Sequence, residues 1–252
     1  MKNLTDLIKE KGFVIGPFMK SSDPAMVEIA GFAGFDFVIL DMEHGPVSLQ
    51  QMQNMIRAAN VAGVAPVIRT RDRIPESISQ ALDIGAQAVQ IPQVTTAEEA
   101  HTVIQAAKFF PLGSRGVCRF VRAAGYSSID RKEYFAKANA TTQVIIQIEG
   151  VLGIKNFDSI LEVPGVDILF IGPYDLSQSM GLPGEIDHPD VVAVMKEFVR
   201  KANKANKYIG IFTDTLANAR LWRDAGVHYL SYSVDVGLYF SICEHVVKEI
   251  RK

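Results

Sequence analysis

Two carboxylates, one histidine and one arginine are the side chains whose types and placing could do chemistry here. Glu149 ends the phrase Gln147-Ile-Glu149, and Asp175 lies in Phe170-Ile-Gly-Pro-Tyr-Asp-Leu-Ser177. Brought together, such oxygen ligands suit Mg²⁺, Mn²⁺ or a similar hard cation. His44 lies in Asp41-Met-Glu-His-Gly-Pro46. A histidine followed by Gly-Pro stands on a turn, and a pKa near neutrality suits a general base. Arg69 closes Val67-Ile-Arg69 and offers a fixed positive charge to a developing anion. Each residue also has a plainer reading. Asp175 could be a helix N-cap before Leu176-Ser177, Glu149 could pair with Arg69, and His44 could tie down its own loop. Lys20, directly after Phe18-Met19, keeps a Schiff-base mechanism open. His101, His188, His228 and His245 read as structural, in helices or at caps.

These residues need elements to hold them. Short apolar runs alternate with longer amphipathic stretches. The strand candidates are Val14–Met19, Phe35–Leu40, Pro66–Arg69, Ala86–Ile91, Gln143–Ile148, Val166–Ile171, Tyr208–Phe212 and Tyr229–Val234. They are continuously apolar, as parallel strands covered on both faces require. Ser48-Leu-Gln-Gln and Thr96-Ala-Glu-Glu read as capping boxes, and Asp23-Pro24 and His188-Pro189 as helix starts. Gly34, Gly63, Gly85 and Gly226 each fall just before a strand, where a helix would end. Gly113–Lys137 reads as a long insertion with its own short helix. Eight strands with intervening helices allow a barrel or an open sheet. No Gly-x-Gly-x-x-Gly follows the first strand. Polar residues crowd the strand ends: Asp41, Glu43, His44, Arg69, Gln90, Gln93, Gln147, Glu149, Asp175, Thr213, Asp214 and Asp235. A closed (β/α)8 barrel with its active site at the strands' C-terminal ends is the architecture expected.

Composition narrows the partners. The 252 residues match the ~250 of one such barrel, so 1–252 is read as a single domain. The content is 48% hydrophobic and 21% charged, and the formal net charge is −2 with no dense Lys/Arg run, which argues against nucleic acid or an anionic membrane as partner. No apolar run approaches the ~18 residues of a membrane span, and the first ten residues lack a signal peptide's apolar core. Cys118 and Cys243 form no C-x-x-C pair and read as buried or semi-buried thiols in a reducing compartment. A cytoplasmic protein is expected.

Taken together, Leu40-Asp-Met-Glu-His-Gly-Pro46, Val67-Ile-Arg69, Leu82-Asp-Ile-Gly-Ala86, Gly113-Ser-Arg-Gly116, Gln147-Ile-Glu149 and Phe170–Ser177 resemble the HpcH/HpaI aldolase family. The resemblance spans nearly the whole chain. It implies a TIM barrel of the phosphoenolpyruvate/pyruvate type that cleaves 4-hydroxy-2-oxo acids to pyruvate and an aldehyde. It implies Glu149 and Asp175 as ligands of Mg²⁺, Mn²⁺ or Co²⁺, His44 as base and Arg69 as transition-state stabiliser. Gln147, Gly172 and the backbone around Tyr174 and Asp175 would hold the 2-oxo acid. Asp83 matches an acidic residue that raises the basicity of the histidine, although its place before the fourth strand puts it near the barrel bottom or a subunit contact. A homo-oligomer, trimer or hexamer, is also implied, and Leu238–Ile250 is an apolar helix candidate able to dock on a neighbour. Three positions depart from the family's pattern: Gly150 where Thr or Ser is frequent, Tyr174 where a small residue is common, and Ser231-Tyr-Ser-Val-Asp235 in place of Gly-Ser-Asp. The Tyr174 change would narrow the acceptor pocket. A condensation with another electrophile, an oxo acid or a thioester, is the alternative chemistry, and a non-catalytic barrel the alternative class.

Overall fold

A computed structural model describes residues 2–252. Eight parallel strands close into a barrel in chain order: β1 (Val14–Met19), β2 (Phe37–Asp41), β3 (Ala65–Arg69), β4 (Ala88–Ile91), β5 (Gln143–Ile148), β6 (Ile168–Ile171), β7 (Tyr208–Thr213) and β8 (Tyr229–Val234). β2 to β6 are buried along their whole length, because helices cover the outside and side chains fill the inside. Inside, Phe37 and Tyr229 stack with ring centroids 4.2 Å apart. Gly210 leaves room for that pair, since a Cβ there would meet Tyr229 Cδ1 at 2.5 Å. The first helix, Leu4–Lys11, packs Leu4 and Ile8 against Val14, Phe37 and Ala65 at the strand starts, and so plugs the bottom.

Most helix signals hold. Ser48 makes a complete capping box with Gln51, and Asp23 and His188 cap their helices ahead of a proline. Gly34, Gly63, Gly85 and Gly226 all have positive φ. The second capping box is only half formed: Thr96 caps the Glu99 amide, but the Glu99 carboxylate reaches Thr95 instead. β2, β4 and β6 begin two residues later than their apolar runs suggest. Asp36 and Asp167 explain two of these starts. Their carboxylates accept from the amides of Ile15 and Val144 in the preceding strands, which holds the entering chain in a turn. The segment after the helix Ala97–Ala107 holds a 3₁₀ turn at Arg122–Ser127 and the helix Arg131–Thr141, packed on a small cluster of Phe109, Ala124 and Tyr134.

The cysteines correct the sequence reading. Both Cys118 and Cys243 are free and exposed. Cys118 lies in the insertion, and Cys243 lies on the C-terminal helix Asp235–Ile250, whose only buried residue is Asp235. Each stands on an exposed stretch of its segment, so its side chain finds no core to enter.

Candidate active site

The site is assembled by register. Asp41, Arg69 and Gln90 are paired neighbours across β2, β3 and β4, which puts three polar side chains in one row at the strands' C-terminal ends. Arg69 Nε and Nη2 donate to the two oxygens of Asp41 at 2.9 and 2.7 Å, a fork-to-fork pair. Arg69 Nη1 lies 2.9 Å from Glu43 Oε2, and the guanidinium covers the Phe18 ring at 4.6 Å. Burial alone would raise the Asp41 carboxyl. The bonds and charge of Arg69, with the amides of His44 and Glu43, outweigh it and hold Asp41 below the usual carboxylate range. Arg69 is thereby fixed in orientation.

A second network holds Glu149. The Tyr229 hydroxyl donates to Gln90 Oε1 at 3.4 Å, Gln90 Nε2 to Gln147 Oε1 at 2.6 Å, and Gln147 Nε2 to Glu149 Oε2 at 2.5 Å. The other Glu149 oxygen accepts from the Gln93 amide at 2.8 Å. Gln93 has φ 56°, a left-handed backbone that non-glycine residues seldom adopt, and this bend accompanies the turn of its amide onto the carboxylate. Gly172 completes the fit, because a Cβ there would lie 2.5 Å from Glu149 Oε2. Glu149 thus has two neutral N–H partners and no basic one among the described residues, while the charges of Asp175 and Glu43 press on it. Burial first, then those two charges, push its carboxyl up to about 7, against the offset from Gln147 and Gln93.

Asp175 stands in the first turn of the helix Pro173–Ser179. It is not the N-cap, which is Gly172, and Glu149 does not pair with Arg69, whose ion-pair partners are Asp41 and Glu43. The plainer readings of both carboxylates therefore lose their geometric support. The His44 imidazole likewise makes no hydrogen bond among the described residues. Only its backbone amide does, to Asp41. A cavity of about 360 Å³ opens between these groups, lined by His44, Arg69, Gln147, Gly172, Tyr174 and Asp175, and by Phe18, Lys20, Phe212 and Val234 on the other side.

Asp83 is not brought in. It ends the helix Pro75–Asp83 at the opposite end of the barrel and pairs with Arg115 at 2.5 Å. Asp235 is structural: its carboxylate accepts from the amides of Lys20 and Ser21 and ties β1 to the start of the C-terminal helix. The clamp on Arg69 and the apolar wall were not anticipated. Asp41 carried a signal as a polar residue closing an apolar run, but its pairing with Arg69 carried none. Phe18, Phe212 and Val234 carried none, being indistinguishable from core.

Whether a cation fits can be judged from the donors alone. Among the described residues no group of three His, Cys, Asp or Glu could hold a metal ion. The two carboxylates Glu149 and Asp175 remain, all oxygen, one of them buried without a counter-charge, and both next to the cavity that would supply further oxygens from substrate and water. They fit a hard divalent ion as a partial ligand set. A consequence follows for the metal-free protein. The Glu149 carboxyl has an ordinary value of 4.5 and a folded value of about 7. Between these the folded chain keeps a proton that the unfolded chain has released, so stability falls as pH rises through that window, on the order of 3 kcal/mol in all. Chelator-treated protein should therefore melt lower at pH 8 than at pH 5, and Glu149→Gln should flatten that slope. An unchanged slope in the variant would contradict the assignment.

Comparison with known proteins finds relatives along nearly the whole chain. A family model for HpcH/HpaI aldolase/citrate lyase matches residues 15–241. The chain is 38% identical over 226 residues to a 2-keto-3-deoxy-L-rhamnonate aldolase of Klebsiella pneumoniae subsp. pneumoniae, covering 89% of this chain and 84% of the relative. A protein of the same name from Salmonella gallinarum is 37% identical over 233 residues, 92% and 86% of the two chains. Among solved structures, an HpcH/HpaI aldolase/citrate lyase family protein from Burkholderia cenocepacia J2315 superposes with TM-score 0.94 at 32% identity over the whole of both chains. The citrate synthase SbnG superposes with TM-score 0.88 at 26% identity over 97% of this chain and 96% of its own.

Proposed function

The chain belongs to the HpcH/HpaI aldolase/citrate lyase family, and from that membership we propose a reversible aldol cleavage of a 4-hydroxy-2-oxo acid to pyruvate and an aldehyde. It is a carbon–carbon lyase of the aldolase kind, acting on small molecules. The observation that carries the specific reading is Glu149, a buried carboxylate without a basic partner, which feels the charge of Asp175 and is bonded to Gln147, both of them lining the cavity with Arg69.

In this reading Glu149 and Asp175 hold a divalent ion, Mg²⁺, Mn²⁺ or Co²⁺. When bound, the ion supplies Lewis acidity toward the 2-oxo acid. Gln147, Gly172 and the backbone at Tyr174 and Asp175 seat the pyruvate carboxylate. His44 takes a proton from the pyruvate methyl carbon onto its free imidazole. Arg69, held still by Asp41, sets its guanidinium against the negative charge that appears on the C2 oxygen. The methyl carbon then bonds to the aldehyde carbon, and the new alkoxide takes up a proton; cleavage is the reverse. Asp83 keeps the assignment that its motif suggests only through contact with another copy, since within one chain it lies at the far end of the barrel. Pyruvate release from 4-hydroxy-2-oxo acids, lost on chelation and restored by Mn²⁺, tests the whole reading. The likeness to SbnG keeps condensation with an oxo acid as a second reading. Carbon–carbon bond formation with oxaloacetate in place of an aldehyde would favour it.

Gly172 offers a direct check on the cation. Gly172→Ala is expected to displace the Glu149 carboxylate and weaken Mn²⁺ binding by about 10- to 100-fold, the usual cost of disturbing a ligand's support. Calorimetric titration measures it, and unchanged affinity would remove Glu149 from the ligand set.

We propose further that the protein is a homo-oligomer. The helix Asp235–Ile250 leaves its own barrel and exposes Val236, Tyr239, Phe240, Ile242, Val246, Val247 and Ile250, an uncovered apolar face. A second copy is the partner this reading assigns it. Light scattering should give a trimer or hexamer, and Tyr239→Asp with Phe240→Asp should lower the mass; a monomeric parent protein would refute the assembly. No helix among the described residues is long and apolar enough to cross a membrane, and the two free thiols suit the reducing cytoplasm we assign to the protein.

A further inference from the structure

The far side of the cavity holds a positive charge that the proton transfer does not use. Lys20 follows β1, and β1 stands four places around the eight-strand ring from β5, which leads into Glu149. Lys20 and the carboxylate pair therefore face each other across the barrel mouth. The Lys20 side chain lines the cavity and is half-buried. Among the described residues its ammonium meets no carboxylate within 4.0 Å, whereas Arg69 is held by two. Asp235, the acid next to it in the fold, is taken up by the backbone amides of Lys20, Ser21 and Val236 and by the Ser21 hydroxyl.

The surface between the two ends is apolar. Phe18 and Phe212 meet at 5.8 Å between ring centroids, and Val234 lies beside them. Tyr174 adds a ring 6.0 Å from Phe212, and its hydroxyl is already bonded to Asp214. This wall offers few hydrogen-bond partners to a polyhydroxylated aldehyde. It suits a short carbon spacer that ends in an anion, because an unpaired ammonium beside a low-dielectric wall attracts a negative group more strongly than it would in open water.

We propose that Lys20 determines acceptor specificity by binding a negatively charged group, carboxylate or phosphate, at the far end of the aldehyde. This rests on the aldolase reading above. It also gives Lys20 a role other than a Schiff base, for which it stands on the wrong side of the mouth.

The test compares matched acceptors in aldol addition with pyruvate: succinic semialdehyde against pentanal, and glyceraldehyde 3-phosphate against glyceraldehyde. The kcat/KM ratio of anionic to neutral acceptor is expected to be about 10 to 100 for at least one pair, on the scale of one charge-assisted bond. Which pair shows it tells carboxylate from phosphate. Lys20→Met should bring that ratio close to one, chiefly through KM for the anionic acceptor, and Lys20→Arg should keep most of it. A ratio near one in the parent enzyme would overturn the proposal, as would a parallel loss for both acceptors in Lys20→Met. Borohydride fixing pyruvate onto Lys20 would do so as well. Failure of the parent enzyme to exchange pyruvate methyl protons with deuterated solvent is a different result: it removes the aldolase reading itself and the proposal with it.

Discussion

Glu149→Ala is expected to abolish divalent-cation binding, pyruvate binding and turnover together, whereas His44→Ala should lose turnover and keep the other two. The two residues divide the work differently. Glu149 is buried, carries no basic partner and feels the charge of Asp175, so removing it takes away the deeper of two oxygen ligands. The loss should amount to several kcal/mol of transition-state stabilisation, or ~10³-fold or more in kcat/KM. His44 is exposed in a bend, and its imidazole bonds to nothing among the described residues, so its removal should leave the rest of the site standing. Proton exchange at the pyruvate methyl group isolates the step that His44 is assigned. With His44→Ala it should slow by about 10²- to 10⁴-fold, the usual contribution of a positioned general base. Normal exchange in His44→Ala would move the base elsewhere, with Glu43 beside it as the next candidate. Cation binding left intact in Glu149→Ala would disprove the ligand assignment.

Arg69→Lys should lower kcat by about 10²-fold or more, the scale of a lost oxyanion donor, with a much smaller effect on KM. The lysine keeps the charge but cannot make the two-pronged bond to Asp41 while also pointing into the cavity. Arg69→Ala is a harsher change. It strands the Asp41 carboxylate, which is 0% exposed, and removing one partner of such a buried pair costs about 3–5 kcal/mol of stability. Thermal denaturation separates the two effects: Arg69→Lys should melt close to the parent protein, and Arg69→Ala well below it. Near-normal turnover in Arg69→Lys would contradict the electrostatic role.

Much of this was legible before any coordinates, for physical reasons that also mark the limits. Continuous apolar runs identify parallel strands because helices bury both faces of each, and a polar residue closing such a run stands at the barrel mouth. Glu149, Arg69 and Asp41 were found that way. Strand starts were less legible, because Phe35 and Val166 are apolar without joining the ladder; the Asp36 and Asp167 carboxylates hold those turns to a neighbouring strand, and such long-range bonds leave no local trace. The pairing of Asp41 with Arg69 depends on register between β2 and β3, which spacing along the chain does not encode. The cysteines failed for a simpler reason. Their type is usually buried, but Cys243 lies on an exposed stretch of its helix.

The chain of bonds running Tyr229–Gln90–Gln147–Glu149 reaches from β8 through β4 to β5. Its members cannot drift independently over evolutionary time, since a change at Gln90 leaves the buried amide oxygen of its partner Gln147 unsatisfied. Phe212 and Val234, across the mouth, carry no side-chain hydrogen bonds among the described residues and answer only to shape, whereas Phe18 also lies under the Arg69 guanidinium. Variation is thus channelled: one half of the mouth is locked to a single chemistry, and the other is free to explore new aldehydes by single substitutions. A library randomised at Phe212 and Val234 should retain pyruvate proton exchange in many of its members, and one randomised at Gln90 and Gln147 in almost none.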